Sequence, residues 1–495
     1  MSTTMRLIQA GRPKVAALAL GLMAIVAILL PLDAQALPSF ARQTGQNCVA
    51  CHAGGQFPEL TPFGRMFKMT GYTIGERAIP LSVMGVAGYS SVADTSKSDA
   101  PDVDFQKHRA PLLASGSLFI AGKLTNNIGA FTQITYDNYA SDNGDGTFSG
   151  HSSADNIDLR FADHIIDDKN DLVYGVSLNN NPSISDPWNT AAAWMQYVPV
   201  PSPTSFQFAD GAGVYPGFGS GGNIAGVNAY MLWNKTVYAE LGAYRTADRL
   251  LSFMSAGIDD AGKTKLSGSN PYWRLAIMHE WGPHNLMVGT SGMNAHVYDA
   301  GSDTSDPDNL GRFRNTGIDA QYQYLLDPHT VTAQFAYMRQ VQTYSAAAVA
   351  GATAPATFSL ADGVTAVDPA NVSDTTNVFR AKLSYVYQAK YGASLAFFNK
   401  TGTTNTLNQS SGFDAAGCGG GICNASSLRV NGNLSGNPAT SGITYEAFWI
   451  PKQYVRLGAQ YTAYGKFNGA IDNYDGFGRN ASDNNTLFLY AWFAY

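Results

Sequence analysis

The sequence predicts an all-β transmembrane barrel of sixteen antiparallel strands, plugged or capped by a small, irregular to helical N-terminal segment. Three observations predict it. Beyond Pro80, apolar and polar residues alternate with period two. Short turns alternate with long polar loops. The chain closes on TLFLYAWFAY, in which Leu487, Leu489, Ala491, Phe493 and Tyr495 are spaced by two and the last residue is aromatic. Such an ending resembles the sorting signal of bacterial outer-membrane barrels.

Composition agrees. The 495 residues carry a net charge of −6, only 14% are charged, and there are 51 Gly, 26 Tyr and 25 Phe. The acidic balance argues against nucleic acid, which requires a basic stripe. Low charge, many glycines and many aromatics fit a β-rich protein with an unusual surface.

Residues 1–36 read as a secretory signal peptide. Arg6, Arg12 and Lys14 are basic, 15–30 is apolar, and Ala34-Gln35-Ala36 offers a small-x-small cleavage site before Leu37. The competing reading is a retained helix. Sixteen apolar residues fall short of the roughly 20 that span a bilayer, so cleavage is preferred.

Residues 37–77 form the next unit and 78–495 the barrel. The shorter unit contains Cys48-Val49-Ala50-Cys51-His52. Cys-x-x-Cys-His is the attachment signature of a c-type haem. Two thiols three positions apart reach the two vinyl groups, and the next histidine reaches the iron. A plain Cys-x-x-Cys is the alternative, as a disulfide or half a zinc site. About 40 residues is marginal for an independent core. The segment is therefore expected to pack against or inside the barrel.

The alternation is strict in several places. Val237, Ala239, Leu241 and Ala243 alternate with Tyr238, Glu240, Gly242 and Tyr244. Ile318, Ala320 and Tyr322 alternate with Asp319, Gln321 and Gln323. Phe379, Ala381, Leu383 and Tyr385 alternate with Arg380, Lys382 and Ser384, and Val455, Leu457 and Ala459 with Arg456, Gly458 and Gln460. One face suits lipid, the other a polar lumen.

Short turns are expected at 125–128, 167–171, 234–236, 282–285, 327–329, 389–392 and 451–453. Long loops are expected at 94–108, 139–155, 180–225, 246–270, 300–312, 345–375, 405–440 and 465–484. Seven turns and eight loops separate sixteen strands. The even count returns the C-terminus to the side of the N-terminus. Short turns belong to the periplasmic side and long loops to the cell surface, which puts the haem segment at the periplasmic end. Trp233, Trp273, Trp281, Tyr324, Trp449 and Trp492 suit interfacial girdles. In an exported chain, Cys418 and Cys423 are expected to form a local disulfide in a surface loop.

LPSFARQTG precedes the haem motif. Phe57-Pro58-Glu59-Leu60-Thr61-Pro62-Phe63-Gly64-Arg65, Phe67-Lys68 and Gly71-Tyr72-Thr73 come after it. Over 37–73 the chain resembles the fused outer-membrane porin-cytochromes, the family of monohaem iron oxidases of iron-oxidising bacteria. The architecture of signal peptide, one haem motif and barrel is similar throughout. The resemblance implies a cytochrome segment that plugs the barrel, accepts electrons from extracellular Fe(II) and passes them to a periplasmic cytochrome. It supports outer-membrane electron transfer more firmly than it supports iron.

Cys48 and Cys51 are the expected covalent anchors of one haem c, and His52 the axial ligand. Met66 or Met69 is the candidate sixth ligand, with Lys68 or an open position as alternatives. Arg65 and Lys68 are candidates to pair with the haem propionates, or else with the barrel wall. Pro58, Pro62 and Gly64 read as turn formers. Asp99, Asp102, Asp104, Asp299, Asp303, Asp306 and Asp308 lie in loops and fit either concentration of Fe(II) or plain solvation. The remaining histidines show no metal-ligand spacing. The expected partners are an extracellular donor, Fe(II) foremost, a periplasmic acceptor and outer-membrane lipid, with no nucleic acid. The alternatives are a conduit for another extracellular donor or acceptor, or a haem-bearing transport porin. An enzyme acting on a bound substrate lacks a visible acid-base pair in the segment.

Overall fold

The structure is a computed structural model that describes residues 38–55, 59–96, 108–142, 148–190, 223–255, 265–299, 301–351, 359–360, 371–405, 422–423 and 432–495. The expected signal peptide, Pro58, Asp99, Asp102, Asp104 and Cys418 lie outside these residues. For Cys423 only the backbone is described, so the expected disulfide is outside them too.

Sixteen antiparallel strands form one closed sheet. They are β1 (Leu81–Val92), β2 (Pro111–Lys123), β3 (Ile128–Asp142), β4 (Phe148–Ile166), β5 (Asp171–Asn179) and β6 (Ile224–Trp233). Next come β7 (Val237–Thr246), β8 (Asn270–Trp281), β9 (His284–Tyr298), β10 (Leu310–Leu326) and β11 (His329–Thr343). The last five are β12 (Ser373–Tyr387), β13 (Tyr391–Gly402), β14 (Thr440–Lys452), β15 (Val455–Lys466) and β16 (Thr486–Ala494). Closure is by β1 and β16, in register from Met84↔Ala494 to Val92↔Thr486. A two-residue strand, Lys265–Leu266, joins the sheet beside β9. A closed sheet leaves no unpaired edge in lipid.

Side-chain parity explains which face is which. On β7, Leu241 is 67% exposed, whereas Tyr238 and Glu240 are 0% and 1% exposed. On β10, exposed Ile318 is followed at alternate positions by inward, buried Asp319, Gln321 and Gln323. Ile277, Val288, Leu383 and Leu395 add to the outer apolar surface. An exterior this apolar is stable only against lipid. The chain is therefore a transmembrane β-barrel of the outer-membrane type. Among the described residues no helix is long and apolar enough to cross a membrane.

The seven short connections fall at 124–127, 167–170, 234–236, 282–283, 327–328, 388–390 and 453–454. Five expectations change. The loop at 139–155 is mostly strand, because β3 runs to Asp142 and β4 starts at Phe148. Pairs such as Thr135↔Ser153 and Asp137↔His151 continue the ladder with polar residues. Above the lipid neither face needs apolar residues, so the alternation disappears while pairing persists. The loop at 300–312 ends earlier, with β10 starting at Leu310, and the turn at 451–453 moves to Gln453 and Tyr454. Trp492 does not join an outer girdle. It shares the inward parity of Phe488 and Tyr490 and is buried with them and Val86. Trp233, Trp281 and Trp449 do face outward.

The fifth change concerns the β5–β6 connection, expected wholly at the surface. Its described start, 180–190, turns into the lumen. Residues 182–185 form a short helix there, and Trp188 packs edge-on against Tyr238 with ring centroids 5.3 Å apart. Gln321 Nε2 donates to the Trp188 carbonyl at 3.2 Å, and Thr190 Oγ1 donates to Asp319. Inward charge on the wall draws the loop in.

The parity makes a graded prediction. Leu241→Lys, near the middle of β7, should lower barrel stability in lipid vesicles by about 2–4 kcal/mol. Leu326→Lys, at the short-turn end of β10, should cost about 0–1 kcal/mol. Equal costs in denaturant titrations would put the lipid boundary elsewhere.

Candidate functional site

The N-terminal segment comprises α1 (Pro38–Thr44), α2 (Cys48–Cys51), a single 3-10 turn at Ala53–Gly55 and α3 (Pro62–Met69). Its side chains meet inward-facing residues of the wall. On α1, the Ser39 N–H donates to Ser82 Oγ at 3.0 Å. Gln43 Nε2 donates to the carbonyls of Tyr72 (2.7 Å) and Ile74 (2.9 Å), and its Oε1 accepts from the Lys123 N–H at 2.8 Å. Phe40 stacks on Tyr72 (5.4 Å) and meets Phe67 edge-on (4.9 Å). Phe119 and Phe131 of the wall complete that cluster.

Helix α3 begins as its sequence dictates. Pro62 occupies the first helical position, and the Thr61 side chain caps by accepting from the Gly64 N–H at 3.2 Å. Buried side chains then fasten the helix to the β4–β10 wall. Arg65 donates to Asn285 Oδ1 (2.6 Å), Gln323 Oε1 (3.0 Å), Gln321 Oε1 (3.2 Å) and the Leu60 carbonyl (2.8 Å). Lys68 Nζ donates to the Asp186 carbonyl at 2.9 Å. Met69 lies among Val173, Trp188, Tyr230, Tyr238, Met278 and Met287, and Met66 packs on the same cluster. Tyr72 OH donates to Asp158 (2.6 Å), which also accepts from Arg160 Nε (2.6 Å). Burial pushes the Arg65 guanidinium down to about 10 and the Lys68 ammonium down to about 8.

Arg65 is thus engaged by amide oxygens of the wall and Lys68 by a backbone carbonyl of the β5–β6 connection, and among the described residues neither makes the wall salt bridge expected as the alternative role. Met66 and Met69 go to the β5–β9 wall, where their thioethers fill an apolar cluster. The second axial position of a haem is left without an assigned residue.

The Cys-x-x-Cys-His motif lies toward β11–β15, at the short-turn end. Cys48 and Cys51 open and close α2, and residues three apart share a helix face. The His52 N–H donates to the Cys48 carbonyl at 2.8 Å, after which the backbone becomes extended and bridges Leu60. Gly54 (φ 69°) turns the chain back, and a Cβ there would fall 2.6 Å from Val386. Gly64 lets α3 rest on α2, since its Cβ would lie 2.1 Å from the Cys51 carbonyl oxygen. Thr61 Oγ1 also donates to the Ala50 carbonyl. Cys48 Sγ donates to Gln453 Oε1, in the β14–β15 turn, at 3.2 Å.

Burial pushes the His52 imidazole down to about 4, opposed by the Glu59 carboxylate, and the Cys51 thiol up to about 11, with Cys48 adding to the rise. At neutral pH the motif offers a neutral imidazole and a protonated Cys51. Neither motif thiol is in a disulfide. Two thiols on one helix face followed by a neutral histidine fit a c-type haem. Among the described residues no group of three His, Cys, Asp or Glu side chains is arranged to hold a metal ion.

Next to the motif are groups that sequence reasoning does not assign. Glu59 pairs with Lys382 of β12, and its backbone carbonyl accepts from the Ala53 N–H at 2.9 Å. On β14 and β15, Arg456 Nη2 donates to Glu446 at 2.8 Å. Strand parity alone turns Lys382, Glu446 and Arg456 inward. Their pairing depends on which strands become neighbours of the motif.

The sequence matches no protein-family model and no curated protein. Among solved structures it is similar to the outer-membrane channel DcaP of Acinetobacter baumannii, at 12% identity and TM-score 0.43, covering 84% of this chain and 96% of that one. It is also similar to OmpF of Salmonella typhi, solved in complex with daunomycin, at 10% identity and TM-score 0.41, covering 84% and 97%. The anion-selective porin of Comamonas acidovorans matches at 9% identity and TM-score 0.41, covering 84% and 99%.

Arg65→Ala tests how the segment is held. It orphans wall acceptors on Asn285, Gln321 and Gln323, at about 1–3 kcal/mol for each buried group left unsatisfied. Limited proteolysis of the full chain should then cut within 59–77 several-fold faster, with the barrel intact. Unchanged cleavage would show that these bonds do not secure the segment.

Proposed function

We propose that the protein is an outer-membrane electron-transfer protein: a porin-like barrel with one covalent haem c on the N-terminal segment. It accepts electrons from an extracellular donor, Fe(II) foremost, and delivers them to a periplasmic cytochrome or similar acceptor. The observation that carries this reading is Cys48-Val49-Ala50-Cys51-His52, clamped between α3 and the short turns of the barrel. The segment at the periplasmic end follows from the rule that short turns face the periplasm.

When bound, the haem supplies a one-electron redox centre. Cys48 and Cys51 would hold it through thioethers and His52 through its imidazole. The chain's own contribution is fixed placement. Gly64 and Thr61 set α2 against α3, and Gln453 meets Cys48 from the wall. Arg65, Lys68 and Tyr72 keep the segment from leaving the lumen.

A polar wall also fits a transport pore, with the haem segment as gate or sensor. The interior contacts of 38–77 and 180–190 count against a wide aqueous path. Conductance across planar bilayers separates the two: a large steady current through the loaded protein would favour transport.

The function is tested with haem-loaded protein in vesicles. Added Fe(II) should reduce the haem promptly, seen in its absorption bands. Another reduced donor acting where Fe(II) fails would move the assignment to a different extracellular partner. His52→Ala should slow reduction at least tenfold while barrel insertion stays normal. Reduction at the parent rate in that variant would refute the axial role.

A further inference from the structure

Inward-facing side chains of four adjacent strands fall in one cross-strand row near the short-turn end. Ser115 of β2 pairs with Val86 of β1, Val86 with Trp492 of β16, and Trp492 with Arg456 of β15. All four are more than nine-tenths buried. Ser115 Oγ, Trp492 Nε1 and Arg456 Nε have no hydrogen-bond partner among the described residues. Each such group costs about 1–3 kcal/mol if left unsatisfied. Three unmet donors in one row, among the apolar Val86, Phe488, Tyr490 and Ala494, mark a place for an acceptor.

Among the described residues the wall does not supply that acceptor. Glu446 is committed to Arg456 Nη2 (2.8 Å), Ser394 Oγ (2.6 Å) and Tyr490 OH. The Arg456 guanidinium also lies 3.7 Å from the centroid of the Phe448 ring. These contacts fix its orientation and leave Nε directed elsewhere. Arg65 Nε lacks a partner among the described residues too, as does Nδ2 of its neighbour Asn285, but the other Arg65 nitrogens are already held by Asn285, Gln321, Gln323 and the Leu60 carbonyl.

The row stands beside the haem motif. Cys48 meets Gln453, and Arg456 lies three residues further along β15, about 10 Å at ~3.4 Å per residue. That distance is comparable to the breadth of a porphyrin. A haem held at its vinyl edge by Cys48 and Cys51 carries two propionate carboxylates on the opposite edge.

Resting on the haem reading of the function, we propose that Arg456, Trp492 and Ser115 receive the propionates and so position the haem in the lumen. Each offers a donor to a carboxylate oxygen, and Arg456 adds the opposite charge, which strengthens the bond. They are positioning residues and take no part in binding the donor. Of the cations put forward from sequence, Arg65 is occupied on the β9–β10 wall and Lys68 by the Asp186 carbonyl of the β5–β6 connection.

The test compares full-length, haem-loaded parent protein with Trp492→Phe, Ser115→Ala, Arg456→Gln and Arg456→Lys. Covalent haem per chain, the haem midpoint potential and the resonance Raman propionate-bending band are measured on each. Haem content should stay at the parent level. In Trp492→Phe and Arg456→Gln the band should shift and the potential should fall, because a less compensated propionate favours the ferric state. Arg456→Lys should recover part of the potential. An unchanged band and potential in both Trp492→Phe and Arg456→Gln would overturn the assignment. If Arg456→Gln does not fold, Trp492→Phe and Ser115→Ala decide, since neither removes a charge. A parent protein without covalent haem would instead overturn the functional reading itself.

Discussion

The interior depends on one buried guanidinium. Arg274 of β8 is fully buried and shared between Asp319 of β10 and Asp186 of the β5–β6 connection. Removed from water without partners, such a charge costs several kcal/mol. Asp319 alone is a wall neighbour, whereas Asp186 comes from a long loop, so satisfying Arg274 brings that loop into the lumen. The Asp186 carbonyl then accepts from Lys68, and Trp188 closes the apolar cluster around Met69. A segment of about 40 residues is too short for a comfortable core of its own. Here the wall and the inward loop provide the core, and Arg65 and Tyr72 extend the same attachment to β9, β10 and β4.

Strand parity makes most of this barrel legible in the sequence. Alternation at 237–244 and 318–323 assigns the lipid and lumen faces residue by residue, and the structure keeps both assignments. Where alternation fails, the physical reason is local. The β3–β4 hairpin rises beyond the apolar belt, so polar residues occupy both faces and the strand reads as a loop. Residue type alone puts Trp492 in a girdle, although its parity already matches Phe488 and Tyr490. The inward turn of 180–190 leaves no periodic signal, because it depends on Arg274 and Asp319 on strands far away in sequence.

The candidate site divides in the same way. Cys48, Cys51 and His52 are legible because their chemistry is set by spacing within five residues. Gly64 reads as a turn former, but its structural role is contact: only a residue without Cβ lets α3 rest on the Cys51 carbonyl. The sequence leaves the roles of Met66, Met69, Arg65 and Lys68 open, since one helix presents several faces and the wall decides which face meets what. Arg456 and Trp492 are nearly invisible in sequence for that reason. They are neighbours only because β15 and β16 pair, 36 residues apart in the register Arg456↔Trp492.

Between β4 and β10 the wall holds the chain's own segment through Arg65 and Tyr72. Between β15 and β2, Arg456 Nε, Trp492 Nε1 and Ser115 Oγ have no hydrogen-bond partner among the described residues. Near the motif, Glu59–Lys382 and Glu446–Arg456 are opposite-charge pairs, so charge there is nearly balanced and fixed in place. Exposed loop carboxylates such as Asp303, Asp306 and Asp308 act through water and are screened beyond about 10 Å at 0.1 M salt. Buried pairs are screened far less. A redox centre at His52 would thus take its potential from Lys382, Arg456 and their carboxylates. The proposed centre would thus sit low in the lumen, inside a wall whose buried charges are already paired.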